Sequence, residues 1–264
     1  MIRRIVAMIG LAVLASASAQ GQTLEPKGEW TVAIGAVGQY QPDYLGGDDY
    51  VVRPWPRLFI DWKDTITLDV GGSLMENDSL KITGWRGRNW RLGFIATFDQ
   101  GRDHGVDSRL LYFSDVDPTV EAGMFYSFFF DHWKFDFDAR QDAMDGHGGL
   151  VSDFRLAWGA KLTNGARMEF GPSLTVATAP YQKSYFGMSQ REAWLSNLNS
   201  QRVYQPGSGL RDVSLGGRFF YPITDKWFAE LTGRYMQLMG DAADSPVIRS
   251  ESQIRVGLGI GYRF

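Results

Sequence analysis

The chain contains no cysteine. That excludes a disulfide framework, a thiolate metal centre and a cysteine-borne lipid anchor. It has no apolar run near the ~20 residues a membrane-spanning helix requires. It has no excess of basic charge, with 27 Lys and Arg against 30 Asp and Glu. This mild acidity speaks against a nucleic-acid partner. Histidine is scarce, limited to His104, His132 and His147, and no long stretch repeats with helical period. If such a protein enters a membrane, it does so without helices.

The amino terminus, "MIRRIVAMIGLAVLASASAQ", has the layout of an export leader. Arg3 and Arg4 precede a short apolar stretch from Ile5 to Leu14, and Ala17-Ser18-Ala19 fits a signal-peptidase site. The expectation is cleavage near Ala19 and a mature domain over residues 20–264. Removing Arg3 and Arg4 leaves 25 basic residues against 30 acidic ones, a net charge of −5.

What the mature chain has is alternation. "WKFDFDAR" puts Trp133, Phe135, Phe137 and Ala139 on one face and Lys134, Asp136, Asp138 and Arg140 on the other. "DFRLAWGAKL" sets Phe154, Leu156 and Trp158 against Asp153 and Arg155. The last stretch, "QIRVGLGIGYRF", sets Ile254, Val256, Leu258, Ile260, Tyr262 and Phe264 against Arg255, Arg263 and three glycines. A period of two means β-strands with unlike faces.

A soluble sandwich and a membrane barrel both use such strands, with opposite faces turned to water. Four features favour the membrane barrel. The chain carries an export leader. Tryptophans fall near strand ends, at Trp30, Trp62, Trp90, Trp133 and Trp227, where interfacial girdles belong. Strands reach nine residues or more, enough for a tilted crossing. Long and short connections alternate, as in barrels with long outer loops and short periplasmic turns. The strands expected are 30–40, 50–62, 65–75, 79–86, 90–98, 118–130, 133–141, 150–161, 167–177, 211–221, 227–237 and 253–264. That makes a transmembrane antiparallel up-and-down barrel of twelve strands. Strand 79–86 is weak, but without it the parity fails, because with both termini periplasmic the count must be even; ten is the alternative.

The inward face carries both signs of charge. Lys134, Asp136, Asp138, Arg140 and Arg155 are candidates for filling the lumen by pairing. A selective channel would concentrate one sign instead. Segment 178–210 is the candidate plug. Ser189 and Glu192 form a capping box, and Trp194 and Leu198 fall on one side of the short helix that follows. Packing of Trp194 into the barrel mouth is the expectation, and a helix lying over the loops is the alternative. His147, in "DGHGG", reads as a polar turn residue on the side of the membrane opposite His132. Ser152 has lipid-facing parity, so no serine–histidine pair is expected. The residues point to no enzyme and no cofactor.

Several stretches resemble the MipA/OmpV family of outer-membrane proteins: "YLGGDDY", "RPWPRLFIDW", "YFGMSQREA", "YQPGSGLRDV", "DAADSPVI" and the closing "GLGIGYRF". The resemblance implies an outer-membrane barrel surrounded by outer-membrane lipid. It also implies a scaffold in murein synthesis, between a lytic transglycosylase and a penicillin-binding protein. A passive channel for small solutes is the alternative. Tyr262 and the terminal Phe264 resemble the signal read by the outer-membrane assembly machinery.

Overall fold

The computed structural model describes residues 29–72, 78–196 and 203–264. The expected leader lies outside the described residues. Twelve strands form: β1 (Trp30–Pro42), β2 (Tyr50–Trp62), β3 (Ile66–Val70), β4 (Ser79–Arg86), β5 (Trp90–Asp99), β6 (Thr119–Phe130), β7 (Trp133–Asp142), β8 (Leu150–Lys161), β9 (Arg167–Ala177), β10 (Gly209–Pro222), β11 (Trp227–Leu238) and β12 (Ser252–Arg263). Each pairs antiparallel with its chain neighbours, and β1 pairs with β12 to close the barrel. Closure gives every strand two partners, which lipid demands because it offers no hydrogen bonds.

The count of twelve holds, and the weak strand at Ser79–Arg86 is present. One boundary is corrected. The strand expected over 65–75 stops at Val70. Gly71 takes a left-handed φ of +68° and gives its N–H to Asp78 Oδ1 at 2.7 Å. That turns the chain out of the ladder, and residues 73–77 lie outside the described residues.

The unlike faces sort as the alternation requires. Leu215, Leu231, Ile254, Leu258 and Ile260 are exposed on the outside of the wall. Arg57, Asp136, Asp138, Arg140 and Glu230 are buried inside it. The end with short connections carries a girdle of aromatic pairs. Trp30 lies 6.0 Å from Trp62, Trp227 lies 5.2 Å from Tyr262, and Tyr262 lies 5.1 Å from Phe264. Phe264 gives its backbone N–H to the Val32 carbonyl at 3.0 Å, so the last residue is tied to the closing seam.

That seam depends on glycine. A Cβ on Gly35 of β1 would sit 2.1 Å from the Ile260 carbonyl oxygen of β12, and one on Gly261 would sit 2.3 Å from the Phe228 ring. The small face seen in the closing stretch is therefore the floor over which inward side chains lie.

The long connections gather at the other end. Two helices stand in the segment after β9: α1 (Ala179–Phe186) and α2 (Gln190–Ser196). A one-turn helix, α3 (Gly240–Ala243), follows β11. Helix α1 was not foreseen. Pro180 fits its first turn, where no N–H is needed. Gly187 ends it, donating its N–H to the Lys183 carbonyl at 2.9 Å.

Candidate functional site

The lumen is crossed by buried ion pairs. Arg140 is the hub of one group. Its Nε meets Glu121 at 2.9 Å, its Nη2 meets Asp153 at 2.8 Å, and it also contacts Asp138, which Arg155 shares. Thr97 and Thr175 donate hydroxyls to Glu121 and Asp153. Lys134 pairs with Asp136 at 2.8 Å. The structure thus brings together the five charged residues expected to line the lumen, as alternating partners rather than as one sign.

A second group spans the barrel. Arg57 of β2 meets Asp69 of β3 and Glu230 of β11, each at 2.7 Å. Strands β1 and β12 lie between β2 and β11. The residues opposite Arg57 and Glu230 on those strands are Gly35 and Gly259, so no side chain blocks the path. Arg218 extends the group to Glu169 at 3.6 Å. Groups of this kind carry their desolvation cost only when every charge finds a partner.

Below this belt, at the end with short turns, the interior becomes apolar. Ala33, Phe59, Phe220 and Phe228 form a buried cluster, with Phe220 and Phe228 stacked at 5.1 Å. The sequence reading missed it, although Phe59, Phe220 and Phe228 share inward parity with Arg57, Arg218 and Glu230.

Above the belt lies α1. Tyr181, Tyr185 and Phe186 are buried against Val116, Val151, Leu238 and Ala242. Tyr185 donates its hydroxyl to Asp99 at 2.5 Å, and Arg211 donates to the Tyr181 hydroxyl oxygen at 2.7 Å. Burial pushes both phenols up, well above their ordinary range, so both stay neutral. Between α1 and the belt is a cavity of about 360 Å³.

The expected plug is corrected. The capping box exists: Ser189 N–H donates to Glu192 at 2.7 Å and Glu192 N–H donates to Ser189 Oγ at 3.3 Å. But Trp194 is 69 % exposed, and the neighbouring Ala193 is the residue that packs inward, against Leu110, Phe113 and Met188. The other Glu192 oxygen accepts from Ser114 N–H at 2.9 Å and from its hydroxyl at 3.1 Å. That contact fixes the helix rotation and turns Trp194 outward. Leu198 lies outside the described residues. Of the two helices, α1 covers the mouth.

His147 is also corrected. It is 3 % exposed, not a turn residue at the surface. Its Nδ1 accepts from Gly149 N–H, its Nε2 faces Glu121 at 3.1 Å, and its ring packs edge-on to Tyr181. Asp99, Glu121 and His147 are close enough to share a metal ion. Each already has a partner, however, and Arg140 supplies the positive charge. His132 sits in the turn at the opposite end, beside Trp158. Ser152 lies on the outward row of β8, so it does not meet His147. His104 is on an exposed loop, where its Nδ1–H donates to the Asp115 carboxylate and that bond holds its pKa above the ordinary value.

A closed twelve-stranded wall, apolar outside, girdled by aromatics and charged within, defines an outer-membrane β-barrel. The chain belongs to the family of the MltA-interacting protein MipA, which it matches over residues 34–264. The MltA-interacting protein of Escherichia coli K12 is 24 % identical over 263 residues, 97 % of this chain and 98 % of that protein. Outer membrane protein OmpV of Vibrio cholerae is 32 % identical over 91 residues, 34 % of each chain. Among solved structures, in-vitro folded OmpT of Vibrio cholerae overlaps with a TM-score of 0.39 at 5 % identity, covering 89 % of this chain and 96 % of that one. At that score the fold assignment rests on the strand pairing alone. The protein is located in the outer membrane.

Proposed function

We propose that this barrel is a non-enzymatic, non-conducting scaffold of the envelope that presents its periplasmic end to a murein hydrolase. The reading extends to this chain what the name of the Escherichia coli relative says of that protein. The observation that carries it is the obstruction of the lumen: α1 above, the ion-pair belt in the middle and the phenylalanine cluster below. A barrel built so is a platform rather than a conduit.

The periplasmic end offers a contact surface despite its short turns. Lys161, Arg167, Lys226 and Arg263 surround a recess of about 180 Å³ floored by Phe220 and Phe228. A basic rim over an apolar floor suits an acidic patch carrying an apolar anchor. A photo-crosslinking residue at Lys226 should trap a murein hydrolase in intact cells, and one at Trp194 on the outer surface should not. Absence of such an adduct from every periplasmic turn would sink the scaffold reading. The passive-channel reading is favoured by the cavity beneath α1, but it requires the belt to part.

A further inference from the structure

The cavity beneath α1 has one wall that the belt does not neutralise. Arg234 of β11 and Arg255 of β12 are direct register partners on the inward face. Like charges placed so repel each other. Arg211 of β10 adds a third cation to the wall. Asp212 meets Arg211 at 2.8 Å and Arg234 at 3.2 Å. Among the described residues Arg255 has neither an ion pair nor a hydrogen bond, and its Nε is buried without a partner.

Glu121 and Asp99, two of the five acids that line the cavity, are already committed. Glu121 is held by Arg140, His147 and Thr97, and Asp99 by Tyr185. Arg255 is half-buried against the cavity with no carboxylate at pairing distance, and a cation so placed is stabilised by an anion. Gln39 and Gln41, on the strand beside β12, line the same cavity, which extends up to Val106 on an exposed loop.

We propose that this cavity binds a small oxyanion, a carboxylate or phosphate, between Arg234 and Arg255. The Arg255 guanidinium offers a planar fork of N–H donors that matches two oxygens of such a group, while Arg234, whose donors go to Ser214 and Asp212, adds its charge. The glutamine amides are further donors within the cavity, and Tyr181, held by Arg211, roofs it. The ligand removes the repulsion between the two arginines and satisfies Arg255. The site is independent of the scaffold reading, because it lies at the outer end and needs no protein partner.

The test uses the full mature barrel in detergent, at constant ionic strength, titrated with inorganic phosphate and separately with succinate. Calorimetry reads binding, and thermal unfolding reads stability. Saturable binding of either anion by the unaltered protein is expected, and which anion binds assigns the phosphate or the carboxylate class. Arg255→Gln should weaken binding by about tenfold or more and raise the unfolding midpoint in the absence of either anion, because the repulsion is gone. Arg249→Gln, on an outer loop away from the cavity, should leave anion binding unchanged. Should Arg255→Gln fail to fold, Arg255→Lys serves instead: it keeps the charge, loses the fork and should also bind more weakly. No saturable binding by the unaltered protein, or equal affinity in the Arg255 variants, overturns the proposal.

Discussion

Replacing Arg140 by Met should destabilise the barrel by about 3–5 kcal/mol. Arg140 is 2 % exposed and touches three carboxylates at once, those of Glu121, Asp138 and Asp153. Met fills much of the same volume, so the loss is electrostatic rather than a cavity. Three acids remain in the interior with the charge that balanced them gone. Arg155 still reaches Asp138, and His147 still faces Glu121, which limits the damage without repairing it. Arg140→Lys, with a point charge in place of a fork, should lose less. The control is Lys63, paired with Glu29 at 2.7 Å where both side chains are about half exposed or more. Lys63→Ala should cost under about 1 kcal/mol. Urea unfolding of the barrel in lipid vesicles, followed by tryptophan fluorescence, measures all three. A loss for Arg140→Met as small as that for Lys63→Ala would mean the belt is not a connected unit.

Leu258→Arg should cost about 2–4 kcal/mol, and Tyr262→Arg on the same strand face about 0–1 kcal/mol. Leu258 is 67 % exposed and lies midway along β12, opposite Gly38 on one side and Leu231 on the other. In water an arginine at so open a position costs almost nothing. In hydrocarbon it must be desolvated or reach for an interface. Tyr262 stands in the aromatic girdle beside Trp227 and Phe264, where a long cationic side chain reaches the headgroups. The difference between the two sites, four residues apart, therefore reads membrane depth directly. Equal and small costs in vesicles would place the outer wall in water.

The wall was legible in the sequence because alternation is local. The inward row Lys134, Asp136, Asp138 and Arg140 follows from parity alone, and two periplasmic termini require an even count. Features set by contacts between distant residues were not legible. Helix α1 has only eight residues, and although its buried residues Tyr181, Gln182, Tyr185 and Phe186 fall at helical spacing, a polar glutamine among them leaves too short an apolar pattern to mark it. The rotation of α2, and with it the exposure of Trp194, is fixed by Ser114, far away in the chain. His147 is drawn inward by Glu121 on a neighbouring strand. Parity placed Arg255 on the inner face, but its direct opposition to Arg234 depends on strand register, which no single segment encodes.

Whether the lumen is closed is read by a planar-bilayer recording of the purified mature barrel. The belt around Arg57 and Arg140, with the phenylalanine cluster beneath it, predicts a membrane without steady unitary conductance. A large, steady unitary conductance would contradict the account, because ions would then be crossing a section that buried ion pairs and aromatic rings are said to fill.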